Sequence, residues 1–117
     1  MTAKVLIIED DADVREVLQF SLEAEGQPAA VAGSGAEGLA LAAALRPDVV
    51  FVDLKLPDFD GFEVARRLRA LLGPGIRLVA LTGFGRVEDR AATAAAGFDD
   101  HLTKPVGAEA ILALLAA

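Results

Sequence analysis

The chain has 117 residues, which is enough for about one domain with a single hydrophobic core. Hydrophobic residues make up 54% of it and charged residues 25%, a balance typical of a globular domain rather than a disordered segment. The formal net charge of −7 disfavours direct binding to nucleic acid or to an acidic membrane surface, and the absence of cysteine excludes disulfides, thiolate metal sites and thiol nucleophiles.

The first part of the chain predicts a strand, a helix and a second strand. The unbroken apolar run Val5–Ile8 is typical of a strand buried on both faces of a parallel sheet. It is too short for a signal peptide, and no run approaches the roughly 18 residues of a membrane span, so we expect a cytoplasmic protein without membrane insertion. Apolar residues between 14 and 22 recur on one helical face, and Gly26 favours a helix end. The run Ala29–Ala32 follows Pro28 and predicts an edge strand.

The middle of the chain predicts two helices around a third strand. Ser34 and Glu37 form a capping box, which predicts a helix to residue 45. The apolar run 49–52 predicts a buried strand. Asp60, with an acid three residues later, predicts the cap of a helix that ends by residue 72.

The last part of the chain repeats the same alternation. The apolar run 76–81 predicts the fourth strand, and the Ala-rich segment 86–96 predicts the fourth helix. The segment 98–103 predicts a fifth strand, and 107–115 a short final helix.

Five alternating βα units predict the fold class. We expect one α/β domain over residues 1–117, a doubly wound (βα)5 fold with a five-stranded parallel sheet and helices on both faces. Ligands of such folds bind beyond the carboxyl ends of the strands, where the strand order reverses.

Polar residues stand at those strand ends. Glu9 and Asp10 follow the first strand, Asp53 the third and Lys104 the fifth, while Thr82 ends the fourth. Converging carboxylates stay ionised together only if a cation joins them, and oxygen ligands favour Mg²⁺ or Mn²⁺.

A carboxylate, a metal, a lysine and a hydroxyl around one pocket favour phosphoryl transfer. Such chemistry needs in-line positioning and neutralised oxygens, and a carboxylate can serve as the nucleophile, for which Asp53 is the best candidate. Taken singly, Asp53 and Thr82 could belong to ordinary turns and Lys104 to the solvated surface. Their joint occurrence at successive strand ends favours a site.

Together these residues resemble the receiver domain of two-component response regulators, over almost the whole chain. The resemblance implies a flavodoxin-like (βα)5 fold with the strand order 2-1-3-4-5. The resemblance implies that Asp53 is the phospho-acceptor, that Asp10 binds the metal directly and Glu9 through water, and that the main-chain carbonyl of Lys55 is a further ligand. The matching stretches are 5–10, 49–53, Leu56-Pro57, Asp60-Gly61, 80–83, 97–98 and 102–105.

The resemblance also implies a switch. Thr82 would turn toward the phosphoryl group, Lys104 would pair with it, and the Lys104-Pro105 bond would be cis. The switch position, which usually carries Tyr or Phe, holds His101 here, and we expect its imidazole to move with Thr82. Lys55 and Phe84 lie two residues past the acceptor and the hydroxyl, where similar domains tune the lifetime of the acyl phosphate.

The resemblance further implies the partners. A histidine kinase or a phosphotransfer domain would donate from a phosphohistidine, and the domain would have no separate turnover substrate, so it is not expected to be an enzyme. The face made by the fourth helix, fifth strand and fifth helix would bind partners, including a second copy as a homodimer. Three settings remain open: a free-standing regulator, a receiver cut from a longer regulator, or the receiver of a hybrid sensor kinase, which the segments 81–85 and 97–102 resemble most.

Other functions were weighed. The segment 33–38 matches the G-x-G-x-x-G pattern of dinucleotide-binding folds. Asp58-Phe59-Asp60-Gly61 is similar to the D-x-D-G of aspartate-nucleophile phosphatases, although Pro57 precedes it. A flavin-binding protein of the same topology and a receiver-shaped module that takes no phosphate are further alternatives.

Overall fold

The five predicted βα units are all present in a computed structural model of the chain, which describes residues 3–83 and 87–117. Strands alternate with helices without interruption from β1 to α5. The elements are β1 (Val5–Ile8), α1 (Ala12–Ala24), β2 (Ala29–Ala32), α2 (Gly35–Leu45), β3 (Val49–Asp53), α3 (Gly61–Leu72), β4 (Arg77–Thr82), α4 (Val87–Ala95), β5 (Asp100–Thr103) and α5 (Ala108–Ala116).

The strands form one parallel sheet in the order β2-β1-β3-β4-β5, which confirms the predicted fold. Ile8 pairs with Val52 and Val52 with Ala80, so β1, β3 and β4 end at nearly the same level. The strand order reverses between β1 and β3. This register places the residues that follow β1 and β3 side by side.

The sheet is buried on both faces, as the unbroken apolar runs predict. Leu6 and Ile8 belong to one core cluster, which packs under α2 and α3, whereas Val5 and Ile7 belong to a second cluster with α1 and α5. Alternate residues of each central strand thus serve opposite layers. Burial of both faces gives the strand ends a rigid base.

Side-chain caps determine where the helices begin. The Asp11 carboxylate accepts from two N–H groups at the start of α1, and the Asp60 carboxylate accepts from the Glu63 N–H, as predicted for α3. The Ser34 hydroxyl caps α2 through the Glu37 N–H, but the Glu37 carboxylate accepts from the Gly33 N–H rather than from Ser34. The Glu37 side chain therefore bonds the N–H of the residue before the N-cap, and not that of the N-cap residue itself.

β5 is shorter than its sequence predicts, because it begins at Asp100 instead of residue 98. Phe98 is buried in the core while still outside the strand, and the Asp99 carboxylate accepts from the Leu78 N–H at 2.8 Å. Phe98 packs in the same core as the strand that follows it, so its apolar side chain suggests a strand start two residues too early. Within the described residues, every helix is too short or too polar to cross a bilayer.

Candidate phosphoryl-transfer site

Three carboxylates converge at the carboxyl edge of the sheet. Oxygen atoms of Glu9, Asp10 and Asp53 all lie within 4.8 Å of one another. Glu9 and Asp53 are buried and Asp10 is exposed, so the cluster opens to solvent on one side. The adjacency of β1 and β3 accounts for this placement, which was expected from the order of the elements.

Lys104 bridges two of the acids. Its Nζ lies 2.7 Å from Asp53 Oδ2 and 3.0 Å from Glu9 Oε1. The Lys104-Pro105 bond is cis, as the resemblance implies, and the Lys104 N–H donates to the Thr82 carbonyl at 2.7 Å. The two short contacts of Nζ place the ammonium group between Glu9 and Asp53.

The charge of Lys104 is held by these two partners. Burial lowers the pKa of its ammonium group, but hydrogen bonds and charge from Asp53 and Glu9 outweigh burial and raise the pKa above the ordinary lysine value. Lys104 thus remains a cation throughout the neutral range. It places a fixed positive charge beside Asp53, where an anion could bind.

For the Glu9 carboxyl, in contrast, the influences that favour the neutral form outweigh those that favour the charged form. The pKa of its carboxyl is raised from 4.5 to about 7, chiefly by burial and also by the neighbouring Asp53 and Asp10 carboxyls. The Lys104 ammonium and the Asp11 N–H act in the other direction without cancelling the rise. Without a metal ion, Glu9 therefore carries a proton for much of the time near neutral pH.

Thr82 places a hydroxyl at the end of β4, next to β3. Its side chain is buried, and among the described residues its Oγ1 has no hydrogen-bond partner. A buried hydroxyl without a partner destabilises the folded protein, and such groups are rare in native structures. An anion bound at Asp53 would give this hydroxyl an acceptor.

Of the other three residues assigned to lifetime and switching, the structure describes two, Lys55 and His101. The Lys55 N–H donates to Asp53 Oδ1 at 2.9 Å, while its side chain is exposed. His101 is half-buried on β5, in register with Ala80, and does not line the cavity at the acids. Phe84 lies outside the described residues.

An open cavity of about 570 Å³ gives access to the site. Its volume admits a phosphoryl group together with part of a donor side chain. Glu9, Asp10 and Lys104 line this cavity, whereas the buried Asp53 does not. The rest of the lining is mostly an apolar wall from α1 and the segment after β5, and the full set is Glu9, Asp10, Asp11, Val14, Leu18, Leu81, Gly83, Lys104, Pro105 and Val106.

The donor set fits a hard divalent cation. Carboxylate oxygens from Glu9, Asp10 and Asp53 are ligands that Mg²⁺ and Mn²⁺ prefer, and an exposed side leaves room for water. No thiolate or imidazole lies in the cluster, so a softer metal is not favoured.

Sequence analysis missed a supporting contact from Arg15. Its guanidinium donates to the main-chain carbonyls of Glu9 and Asp10, each at 2.9 Å. The arginine stands one turn into α1, behind the acids that it holds. Its only sequence signal is a basic residue closely following an acidic cluster.

The structure also explains the two motifs that favoured other functions. The Asp58 carboxylate accepts from the N–H groups of Gly35 and Ala36, which in a dinucleotide fold would face a pyrophosphate. A Cβ at Gly38 would collide with Ile8, so this glycine serves close packing of α2 on β1. Asp58 therefore belongs to the scaffold of the site and lies outside the acid cluster.

Comparisons with known proteins agree with this geometry. Residues 5–116 match the family model of the response regulator receiver domain. An uncharacterised 14.6 kDa protein of Leptolyngbya boryana is 42% identical over 103 residues, which cover 87% of this chain and 79% of that protein. Response regulator MprA of Mycolicibacterium vanbaalenii is 40% identical over 117 residues, 100% of this chain and 50% of MprA, so the chain spans half the length of that relative. The solved structure of chemotaxis protein CheY4 of Vibrio cholerae has a TM-score of 0.91 at 29% identity and covers 99% of this chain and 98% of that one.

Proposed function

The chain belongs to the response regulator receiver domain family, whose members signal through phosphorylation, and on that premise we propose that Asp53 accepts a phosphoryl group from a phosphohistidine. The donor is a histidine kinase or a phosphotransfer domain, and residues 1–117 act as one receiver domain. The observation that carries the proposal is the contact of Lys104 Nζ with both Asp53 and Glu9, beside an acid cluster.

The proposed reaction forms one bond and breaks one. An Asp53 carboxylate oxygen attacks phosphorus, the bond between phosphorus and the donor imidazole nitrogen breaks, and the electron pair returns to the imidazole. The product is an acyl phosphate on Asp53. Water later cleaves this bond and regenerates the carboxylate, so the domain undergoes modification without turning over a separate substrate.

The acids prepare the site for the incoming charge. Asp10 and Asp53 would bind Mg²⁺ or Mn²⁺ directly, Glu9 would act through water, and the Lys55 carbonyl would complete the protein ligands. When bound, the cation would neutralise the phosphoryl oxygens. Lys104 is already within the pocket to pair with one of them.

Thr82 and His101 would carry the signal outward. The unpartnered Thr82 hydroxyl gains an acceptor when a phosphoryl group is present, and His101 on the adjacent strand moves with it. This changes the face of α4, β5 and α5, through which partners or a second copy would bind. Single-histidine NMR with and without a phosphoryl mimic tests this step, and an unchanged His101 ring would contradict it.

Two residues would set the lifetime of the acyl phosphate. Lys55 and Phe84 stand two positions after Asp53 and Thr82, where they would flank the path of the attacking water. We expect Phe84→Ala to change the dephosphorylation rate more than the stability. Equal lifetimes in the two proteins would refute this role.

The decisive experiment weighs the intact protein after incubation with acetyl phosphate and Mg²⁺. We expect the wild type to gain one phosphoryl group and Asp53→Asn to gain none. Asp48→Asn is the matched control, because Asp48 bonds the Lys4 N–H at the opposite edge of the sheet. Absence of a mass gain in the wild type, or a gain in Asp53→Asn, would contradict the proposal.

A further inference from the structure

The loop between β3 and α3, residues 54–60 (the β3–α3 loop), is tied to a helix distant in sequence. Asp58 Oδ1 accepts from the Gly35 N–H at 2.8 Å, and Asp58 Oδ2 accepts from the Ala36 N–H at 2.9 Å. Both donors lie in the first turn of α2, whose N–H groups have no partner within the helix. One carboxylate thus joins the β3–α3 loop to α2 through two charge-assisted hydrogen bonds.

The nearby side chains Ser34 and Glu37 bond other N–H groups, so they do not compete with Asp58 for those of Gly35 and Ala36. Ser34 Oγ bonds the next N–H, that of Glu37, and the Glu37 carboxylate is used by the Gly33 N–H. The pKa of the Asp58 carboxyl is lowered by the Ala36 N–H first and the Gly35 N–H second, so the ionised form is favoured in this position. Helix capping by Ser34 and loop anchoring by Asp58 are therefore separate contacts at one helix end.

Close packing accompanies the anchor. A Cβ at Gly35 would lie 2.7 Å from Phe59 Cδ2 and 3.1 Å from Asp58 Oδ1, so the helix and the loop are in direct contact there. Only a residue without a side chain lets the loop approach α2 this closely.

The anchored loop also holds the acceptor. The Lys55 N–H bonds Asp53 Oδ1, Lys55 pairs with Asp60 in an antiparallel bridge, and the Gly61 N–H donates to the Leu54 carbonyl at 3.0 Å. Between Lys55 and Asp58 stand only Leu56 and Pro57, and proline restricts the backbone of this short connection. Movement of Asp58 would therefore be transmitted to Lys55.

We propose that Asp58 is a positioning residue for the main-chain carbonyl of Lys55, which it holds in place by anchoring the β3–α3 loop to α2. This rests on the proposed function, in which that carbonyl binds the divalent cation. Asp58 itself does not touch the metal or the phosphoryl group. Its contribution is to remove freedom from the loop before the cation arrives.

The test compares Asp58→Ala with Ser34→Ala, which removes the other cap of α2 and leaves the anchor. The first readout is amide hydrogen exchange of Lys55 and Gly61, measured by NMR without metal. We expect exchange at Lys55 to become about ten-fold faster in Asp58→Ala and to stay unchanged in Ser34→Ala. Asp58→Asn keeps one acceptor oxygen and should recover part of the protection.

The second readout is Mg²⁺ affinity from an NMR titration of the same variants. We expect Asp58→Ala to bind Mg²⁺ about three- to ten-fold more weakly than the wild type, Asp58→Asn to lie between them, and Ser34→Ala to match the wild type. Unchanged Lys55 exchange and unchanged affinity in Asp58→Ala would show that Asp58 is only a helix cap. A wild type that binds no Mg²⁺ would instead contradict the proposed function, while the exchange measurement still decides whether Asp58 anchors the loop.

Discussion

At the scale of single residues, Thr82 carries a hydroxyl whose position is unfavourable for the fold. Its hydroxyl is buried and, among the described residues, lacks a partner, although the side chain packs at the end of a central strand. Leaving a buried hydroxyl unpaired costs about 1–3 kcal/mol, more than one hydrogen bond usually contributes. In the proposed function this cost is offset, because the hydroxyl gains an acceptor when Asp53 is phosphorylated.

Replacement of this hydroxyl by a methyl group should stabilise the protein. We expect Thr82→Val to raise the free energy of unfolding by about 1 kcal/mol, because valine has the same shape and no unpaired polar atom. Urea denaturation without metal measures the difference. Thr103→Val is the control, since Thr103 pairs with Thr82 in register but is exposed, and its replacement should have little effect. A loss of stability in Thr82→Val would mean that the hydroxyl has a partner after all.

At the scale of elements, one arginine joins segments that the sequence keeps far apart. Arg69, near the end of α3, donates to the carbonyls of Ile76 at 2.8 Å and Gly97 at 2.6 Å, and to the Asp99 carboxylate at 3.1 Å. These acceptors precede β4 and β5, at the edge of the sheet opposite the acids. The arginine thus ties α3 to the starts of two strands.

Loss of this arginine should destabilise the fold and spare the chemistry. We expect Arg69→Ala to lower the free energy of unfolding by about 2–3 kcal/mol, because several partly buried carbonyls lose a donor at once. Arg66→Ala is the matched control on the same helix: its ion pair with Glu63 is exposed and should contribute about 0.5 kcal/mol or less. Urea denaturation gives both values, and acetyl phosphate labelling should be unchanged in each folded variant. Equal losses in the two variants would refute this role of Arg69.

Several elements of the molecule can be predicted from the sequence alone. Apolar runs and caps are local signals, so the strands β1 and β2 and the cap of α3 at Asp60 were predicted at the positions that the structure gives. The convergence of Glu9 and Lys104 followed from topology, since parallel strands end on one side. These inferences need only the order of the elements.

Contacts that depend on loop conformation were not predicted. Asp58 lies 22 residues from one of its partners and was weighed only as part of a phosphatase-like motif. Arg69 and its partner Asp99 are 30 residues apart, and nothing in their neighbourhoods marks them as a pair. Side chains that bind main-chain groups across the fold leave no period or spacing in the sequence.

At the scale of the whole molecule, the binding of a divalent cation should couple charge, stability and pH. The chain carries a formal net charge of −7, and three of its acids meet within 4.8 Å. A cation that binds only the folded protein stabilises it, by about 1.4 kcal/mol at ten times its dissociation constant. The proton on Glu9 competes with this binding, because the raised pKa of about 7 keeps the buried carboxyl partly protonated near neutrality.

The sign of the metal-free pH dependence follows from the same group. The folded protein holds the Glu9 proton up to a pKa of about 7, whereas the ordinary value is 4.5. The stability that this group contributes is therefore fully present below about pH 4.5 and is lost as pH rises through 7, at up to about 1.4 kcal/mol per pH unit. Between pH 5 and 7, Glu9→Gln should remove this slope.

Magnesium should cancel that trend between pH 6 and pH 8. We expect the wild type to bind Mg²⁺ about ten-fold more tightly at pH 8 than at pH 6, so that a fixed Mg²⁺ concentration well above the dissociation constant stabilises it by about 1.4 kcal/mol more at the higher pH. Urea denaturation at both pH values measures this, with NaCl at matched ionic strength to remove the general screening of a chain of charge −7. Glu9→Gln should bind Mg²⁺ with little dependence on pH. If NaCl stabilised the protein as much as Mg²⁺ did, the acids would be screened rather than bridged. If Mg²⁺ stabilised the wild type equally at pH 6 and pH 8, Glu9 would not compete with the cation through its proton.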